Sequence, residues 1–126
     1  MTLMRVRLEL ARNPEYPEGN PNDAYEFTVP LAADGRIDLG RWDEAAQYCT
    51  LRRYEPDGTV LTGQLIRTAR GEWAFSYQPG DEDDESVYRF ASHAFRPGEY
   101  LTITQEDESD HVYRVVSVRN AAVSGA

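Results

Sequence analysis

At 126 residues the chain is long enough for one domain with a substantial core and too short for two. An apolar fraction of 40% with 11% aromatic residues excludes disorder despite a mean hydropathy of -0.64. The net charge of -9, with all 13 basic residues arginine, weighs against a nucleic-acid backbone or an anionic membrane surface as partner, since both call for a basic stripe.

Leu3 to Ala11 alternates Met4, Val6, Leu8 and Leu10 with Arg5, Arg7 and Glu9, the period of a half-buried strand. The same stretch has no apolar block of the kind a signal peptide or membrane span needs, and the lone Cys49 excludes an internal disulfide. A cytoplasmic protein is therefore expected. Residues 13–22 carry three prolines, one glycine and two glutamates, a loop expected to cross an edge or an end of the sheet. Asp23 to Leu31 alternates again, with Tyr25, Phe27, Val29 and Leu31 on one face, and Asp34-Gly35 turns the chain into the run Arg36 to Leu39. Next, Trp42, Ala45, Ala46 and Cys49 fall at helical spacing, with Asp43 and Glu44 in the first turn, where the macrodipole favours acid. So short a helix cannot stand alone in water, and Trp42 is expected to pack over an open end of the sheet.

Tyr48 to Gln78 contains three strand-like runs joined by two tight turns. In Glu55-Pro56-Asp57-Gly58-Thr59, proline is preset for the first corner and Gly58 is free to take positive φ, which fits a three-residue loop closed by a bulge. Pairing Glu55 with Thr59 sets Arg53 opposite Leu61, Leu51 opposite Gly63 and Cys49 opposite Leu65. Ala69-Arg70-Gly71 has the same form, and pairing Thr68 with Glu72 sets Arg67 opposite Trp73, Leu65 opposite Phe75 and Gly63 opposite Tyr77. The two turns select one apolar face independently, and a slip of one residue in either would mix the faces.

Gln78-Pro79-Gly80 breaks this strand and the acidic run Asp81 to Glu85 follows. Ser86 to Ser92 reads as a strand with Tyr88 and Phe90 on one face and Val87, Arg89 and Ala91 on the other. Arg96-Pro97-Gly98 leads into Tyr100 to Gln105, and the acidic loop Glu106 to Asp110 leads into His111 to Val118, with Ile103 expected opposite Tyr113. These runs predict an all-β fold of about eight short strands with one short helix at most, a single antiparallel β-barrel or strongly curled meander sheet. The barrel-like domain spans 1–118, and 119–126 is a flexible tail.

Candidate chemistry is sparse. The run Asp81 to Glu85 lacks the alternating ligands and mid-loop glycine of a calcium loop, and neither His93 nor His111 sits at zinc-ligand spacing, so no metal is assigned. No G-x-S-x-G elbow is present and Cys49 falls on the inferred buried face, so no catalytic residue is assigned and no cofactor is expected. Phe95-Arg96-Pro97-Gly98-Glu99-Tyr100-Leu101 and Arg114-Val115-Val116-Ser117 resemble the F-x-P-G-Q-Y and R-x-Y-S segments of the flavin-binding barrel in ferredoxin-reductase-like enzymes. The resemblance implies that Arg114 and Ser117 meet flavin phosphate; Val116 stands where that pattern has tyrosine, and no glycine-rich helix start follows.

Two further candidates arise from the faces. Arg53, Arg67, Trp73, Tyr77 and Tyr113 share the inward face, where aromatic walls with an arginine at the mouth suit a largely apolar molecule bearing an acid group. Tyr48, Tyr54, Val60 and Ile66 are apolar exceptions on the outward face and form a candidate interaction surface. The expected function is a non-catalytic binding or protein-interaction module whose partner is another protein or a second copy. The alternatives are a carrier of a small apolar ligand in the barrel lumen and a flavin-binding barrel.

Overall fold

Period-two alternation at both ends of the chain lets the first and last strands pair and close a ring. The computed structural model describes residues 3–68, 72–77, 85–87, 90, 93–105 and 109–121. Eight strands run in chain order, β1 (Leu3–Leu10), β2 (Asn20–Pro30), β3 (Thr50–Tyr54), β4 (Val60–Arg67), β5 (Trp73–Ser76), β6 (Glu85–Val87), β7 (Tyr100–Thr104) and β8 (Asp110–Asn120). Each pairs antiparallel with the next, and β8 pairs with β1, so the meander is a closed barrel. Closure leaves no long strand edge to template another chain. Among the described residues, no helix is long and apolar enough to cross a membrane.

The central registers follow from turn chemistry as expected. Glu55 N–H donates to Thr59 O at 2.8 Å, and Gly58 adopts φ 95°. Leu51 opposes Gly63 and Arg53 opposes Leu61, while Leu65 opposes Phe75 and Arg67 opposes Trp73. Thr68 N–H donates to Glu72 O at 2.7 Å around the second turn, whose residues 69–71 lie outside the described set.

The loop of residues 11–19 joins neighbours, β1 and β2, and takes the end of the barrel, one of its two expected courses, to close a hairpin. Three expectations change. In the last hairpin Ile103 opposes His111 and Leu101 opposes Tyr113, two residues from the expected register. The loop closes tightly, with Gln105 N–H donating to Ser109 O at 2.9 Å, and an even slip keeps Leu101, Ile103, Tyr113 and Val115 on the inner face. β6 begins at Glu85, which opposes Phe75 and is buried, one residue before the expected start, and residues 88, 89, 91 and 92 of the expected strand lie outside the described set. Phe90 is fully buried. Finally, β8 continues through Arg119 and Asn120, which oppose Arg5 and Met4, where a tail was expected.

A bulge in the β1–β8 pair sets Leu8 opposite Val115 and Arg7 opposite Ser117. The extra residue, Val116, lets both Val115 and Val118 turn toward the core. Gly63 marks another close approach: a Cβ there would lie 2.2 Å from the Ser76 carbonyl oxygen. Between β2 and β3 the chain forms a ten-residue helical passage around α1 (Trp42–Ala45), with a 3-10 turn on each side. Trp42 caps one end of the barrel, its ring edge-on to Trp73 at 4.7 Å.

Candidate functional site

The inward face splits into an aromatic half and a polar half. In the middle, Phe27 contacts Phe75, Phe90 and Phe95 at centroid distances of 5.5, 5.6 and 5.6 Å. Toward the helical cap, Trp73 packs on Phe90 and Trp42, and Arg67 lies over the Trp73 ring with its guanidinium carbon 5.5 Å from the centroid. Such stacking gives an exposed arginine a place on the rim without a ligand. These rings fill the inner space with close contacts.

At the opposite end β2, β3, β6 and β8, with the residues that directly follow β5 and β7, bring seven polar side chains together. Asp23 and Arg53 form an ion pair, and both residues are buried. Arg53 also donates to the carbonyls of Ala24 and Tyr54 at 3.2 and 2.7 Å, and its guanidinium carbon lies 4.4 Å from the Tyr25 ring centroid. Tyr113 donates to Asp23 at 2.8 Å, and Tyr25 donates to Glu85 at 3.0 Å. Tyr77 donates to the same Glu85 oxygen. Gln105 bridges the two halves by donating to Tyr113 at 3.1 Å and Tyr25 at 3.4 Å.

Burial sets the protonation of this cluster. It pushes the Tyr25 phenol far above its ordinary value, with Glu85 adding to the effect, and raises Tyr77 for the same two reasons. Tyr113 is raised mainly by burial; Arg53 works against the shift and Asp23 reinforces it. Burial alone would lower the Arg53 pKa, but Tyr25, Tyr113 and Asp23 outweigh it and leave the guanidinium more firmly charged than usual. The phenols are therefore donors in this network and not bases.

That arrangement carries a pH prediction. A phenol raised in the folded state favours folding below the ordinary tyrosine pKa of about 10, and this stability is lost as pH climbs above it. Alkaline titration should therefore unfold the protein cooperatively, with tyrosinate absorbance from Tyr25, Tyr77 and Tyr113 appearing together with loss of near-UV circular dichroism. Complete tyrosine ionisation with an intact near-UV spectrum would contradict the network.

Three of the expected ligand residues, Arg53, Tyr77 and Tyr113, thus meet at the polar end, while Arg67 and Trp73 meet at the other. Asp23, Tyr25, Glu85 and Gln105 complete the network. Asp23 stood at the start of an alternating run and Glu85 at the end of an acidic one, positions that read as solvated. The available signal for Glu85 was its even spacing from Val87, an apolar position inside the next strand. No nucleophile is poised here: burial pushes the Cys49 thiol up to about 12, and it donates to Ala45 O at 3.3 Å. Ser109 Oγ lies 2.9 Å from His111 Nε2 in the last hairpin, and among the described residues no three metal-ligating side chains gather. Of the acidic run, residues 81–84 lie outside the described set.

On the outer wall, Tyr48 and Val60 are 53% and 51% exposed, and Tyr54 and Ile66 are half-buried. They do not form one strip. Tyr54 opposes Val60 at one end of the β3–β4 pair, and Tyr48 and Ile66 lie at the other, separated by the polar rungs Arg52–Thr62 and Thr50–Gln64. Tyr54 is further tied to the wall, donating to Glu26 at 2.8 Å under the Arg7 guanidinium. The segments that resemble the flavin barrel lie side by side, Tyr100 opposing Arg114 on the outer wall, with Phe95 buried in the core.

Compared with known proteins, the chain matches no family model, no curated protein and no solved structure. The flavin resemblance therefore rests on its two short segments alone.

Proposed function

We propose that the chain is a non-catalytic binding module that works in the cytoplasm and recognises its partner, a protein or a second copy, through the outer wall of the barrel. The observation that carries this reading is the filled interior. Interlocked rings occupy the middle of the barrel, and the buried charges at its polar end are committed to one another. A lumen in that state favours recognition from outside over a carried ligand. The outer wall also presents large apolar groups to solvent: besides Tyr48 and Val60, Tyr100 on β7 and Val112 on β8 are 55% and 44% exposed.

Native mass spectrometry of freshly purified protein, compared with the denatured mass, tests this. The expected result is the bare chain at its monomer or dimer mass, and, if dimeric, a return to monomer on Val60→Arg or Tyr100→Arg. A small molecule retained only under native conditions would overturn the reading in favour of a carrier, and a yellow preparation would identify it as a flavin.

A further inference from the structure

One side chain on the outer wall holds partners on three strands. Arg7 on β1 donates from Nε to Glu9 Oε2 at 2.9 Å and from Nη2 to the Pro21 carbonyl at 3.2 Å, while its Nη1 lies 3.6 Å from Glu26 Oε2. Its guanidinium carbon also stands 5.4 Å from the centroid of the Tyr54 ring on β3. The side chain therefore spans β2, which lies between β1 and β3. Ala24, opposite Glu9 on one side and Tyr54 on the other, is fully buried in that rung. Only a rigid, planar fork can serve so many directions at once.

The segment that Arg7 holds is one where the sheet is interrupted. Leu10 opposes Asn20 and Glu9 opposes Ala24, so residues 21–23 are extra on β2 and stand outside the β1 register. Asp23 turns inward to Arg53, whereas Pro21 and Asn22 are exposed. Pro21 has no N–H to give to a ladder. The Asn22 N–H turns back to the Asn20 side chain at 3.0 Å, a bond local to the segment. Pro21 is also the one residue that lines two separate grooves. The first, of about 580 Å³, has Glu18, Tyr100 and Arg114 among its walls, and the second, of about 470 Å³, has Tyr54, Pro56 and Thr59.

We propose that residues 20–22 form a strap latched to the barrel wall by Arg7, and that release of this latch lifts the strap and joins the two grooves into one. Glu9 and Glu26 fix the guanidinium from the wall side, and the bond to the Pro21 carbonyl fixes the strap to the guanidinium. That bond is charge-assisted but exposed to solvent, and the strap itself is outside the β1 ladder, so this part of β2 opens at a lower cost than the strands around it. The two ion pairs that set the latch are partly exposed, which makes it sensitive to salt. When the strap is down, Tyr100 and Tyr54 belong to different grooves; when it is lifted, they line one continuous surface. The latch goes beyond the module reading, which concerns what the wall recognises, and it stands or falls on the free chain alone.

The test is amide hydrogen exchange of the full chain, followed by NMR, in the wild type and in Arg7→Met, which keeps an unbranched side chain over β2 and removes every donor. Exchange at Asn20, Asn22 and Ala24 should accelerate at least about tenfold, the factor expected for the loss of a charge-assisted hydrogen bond. Exchange at Leu65 and Phe75, on β4 and β5, should stay as it was. Arg7→Lys should fall between the two, since one ammonium cannot hold Glu9, Glu26 and Pro21 together. Sodium chloride at about 1 M should accelerate the same three amides in the wild type and not in Arg7→Met. A neutral gadolinium chelate in solution should broaden the Ala24 methyl signal in Arg7→Met and leave it sharp in the wild type, showing that the wall beneath the strap has opened. Unchanged exchange at Asn20, Asn22 and Ala24 in Arg7→Met, or an equal acceleration at Leu65 and Phe75, would overturn the latch.

Discussion

Arg53→Met and Asp23→Ala are each expected to destabilise the barrel by about 3–5 kcal/mol, because either change leaves an uncompensated charge in a buried site. The expectation rests on how little solvent reaches the pair: the two side chains are 8% and 11% exposed. Losing Arg53 also removes the donor to the Ala24 carbonyl, which ties β3 to β2, the donor to the Tyr54 carbonyl within β3, and the cation over the Tyr25 ring. Losing Asp23 leaves the Arg53 guanidinium facing a ring and two carbonyls, and takes away the acceptor of the Tyr113 hydroxyl. The double variant should cost clearly less than the sum of the singles, with a coupling of up to about 3 kcal/mol, since residues in one network are not additive. Urea denaturation of the four proteins measures this. Single-variant losses below about 1 kcal/mol, the range of exposed pairs, would mean that water enters this end of the barrel.

The same network explains what could and could not be read in the sequence. Local turn chemistry fixes registers, and wherever a turn was explicit, as at Pro56-Asp57-Gly58, the pairing of Arg53 with Leu61 and of Leu51 with Gly63 followed. Alternation likewise identified Val6, Leu8, Tyr25, Phe27 and Val29 as core, and helical spacing identified Trp42, Ala45 and Cys49. The last hairpin shows the limit of that logic: a two-residue slip preserves every face, so the apolar pattern could not distinguish Ile103 opposite Tyr113 from Ile103 opposite His111. The polar end was harder still. A buried carboxylate has the same residue type as a solvated one, and only the ring closure of strands far apart in sequence brings Glu85 to Tyr25 and Asp23 to Tyr113. The Arg7 latch was hidden for a related reason. Arg7, Glu26 and Tyr54 stand on three strands and meet only once β1 has β2 as a neighbour and β2 has β3.

Gly63→Ala is expected to cost about 3 kcal/mol, at the upper end of ordinary overpacking. The added methyl carbon would sit 2.2 Å from the Ser76 carbonyl oxygen, 3.0 Å from its carbonyl carbon and 3.1 Å from Tyr77 Cα. All three are backbone atoms, so no rotamer change relieves the contact. The strands must part where Gln64 opposes Ser76, and the movement displaces Tyr77, whose hydroxyl is held by Glu85. Gly58→Ala is the fitting comparison. Gly58 holds φ 95° with nothing within 4 Å of an added Cβ, so its substitution costs only the backbone strain of the left-handed region, about 1–2 kcal/mol. Urea midpoints of the two variants should therefore rank Gly63→Ala well below Gly58→Ala, with tyrosine near-UV signals altered only in the former. The reverse ranking would mean that β4 and β5 do not approach as closely as the Ser76 contact requires, and would remove the geometric reason for a glycine on the inner face of β4.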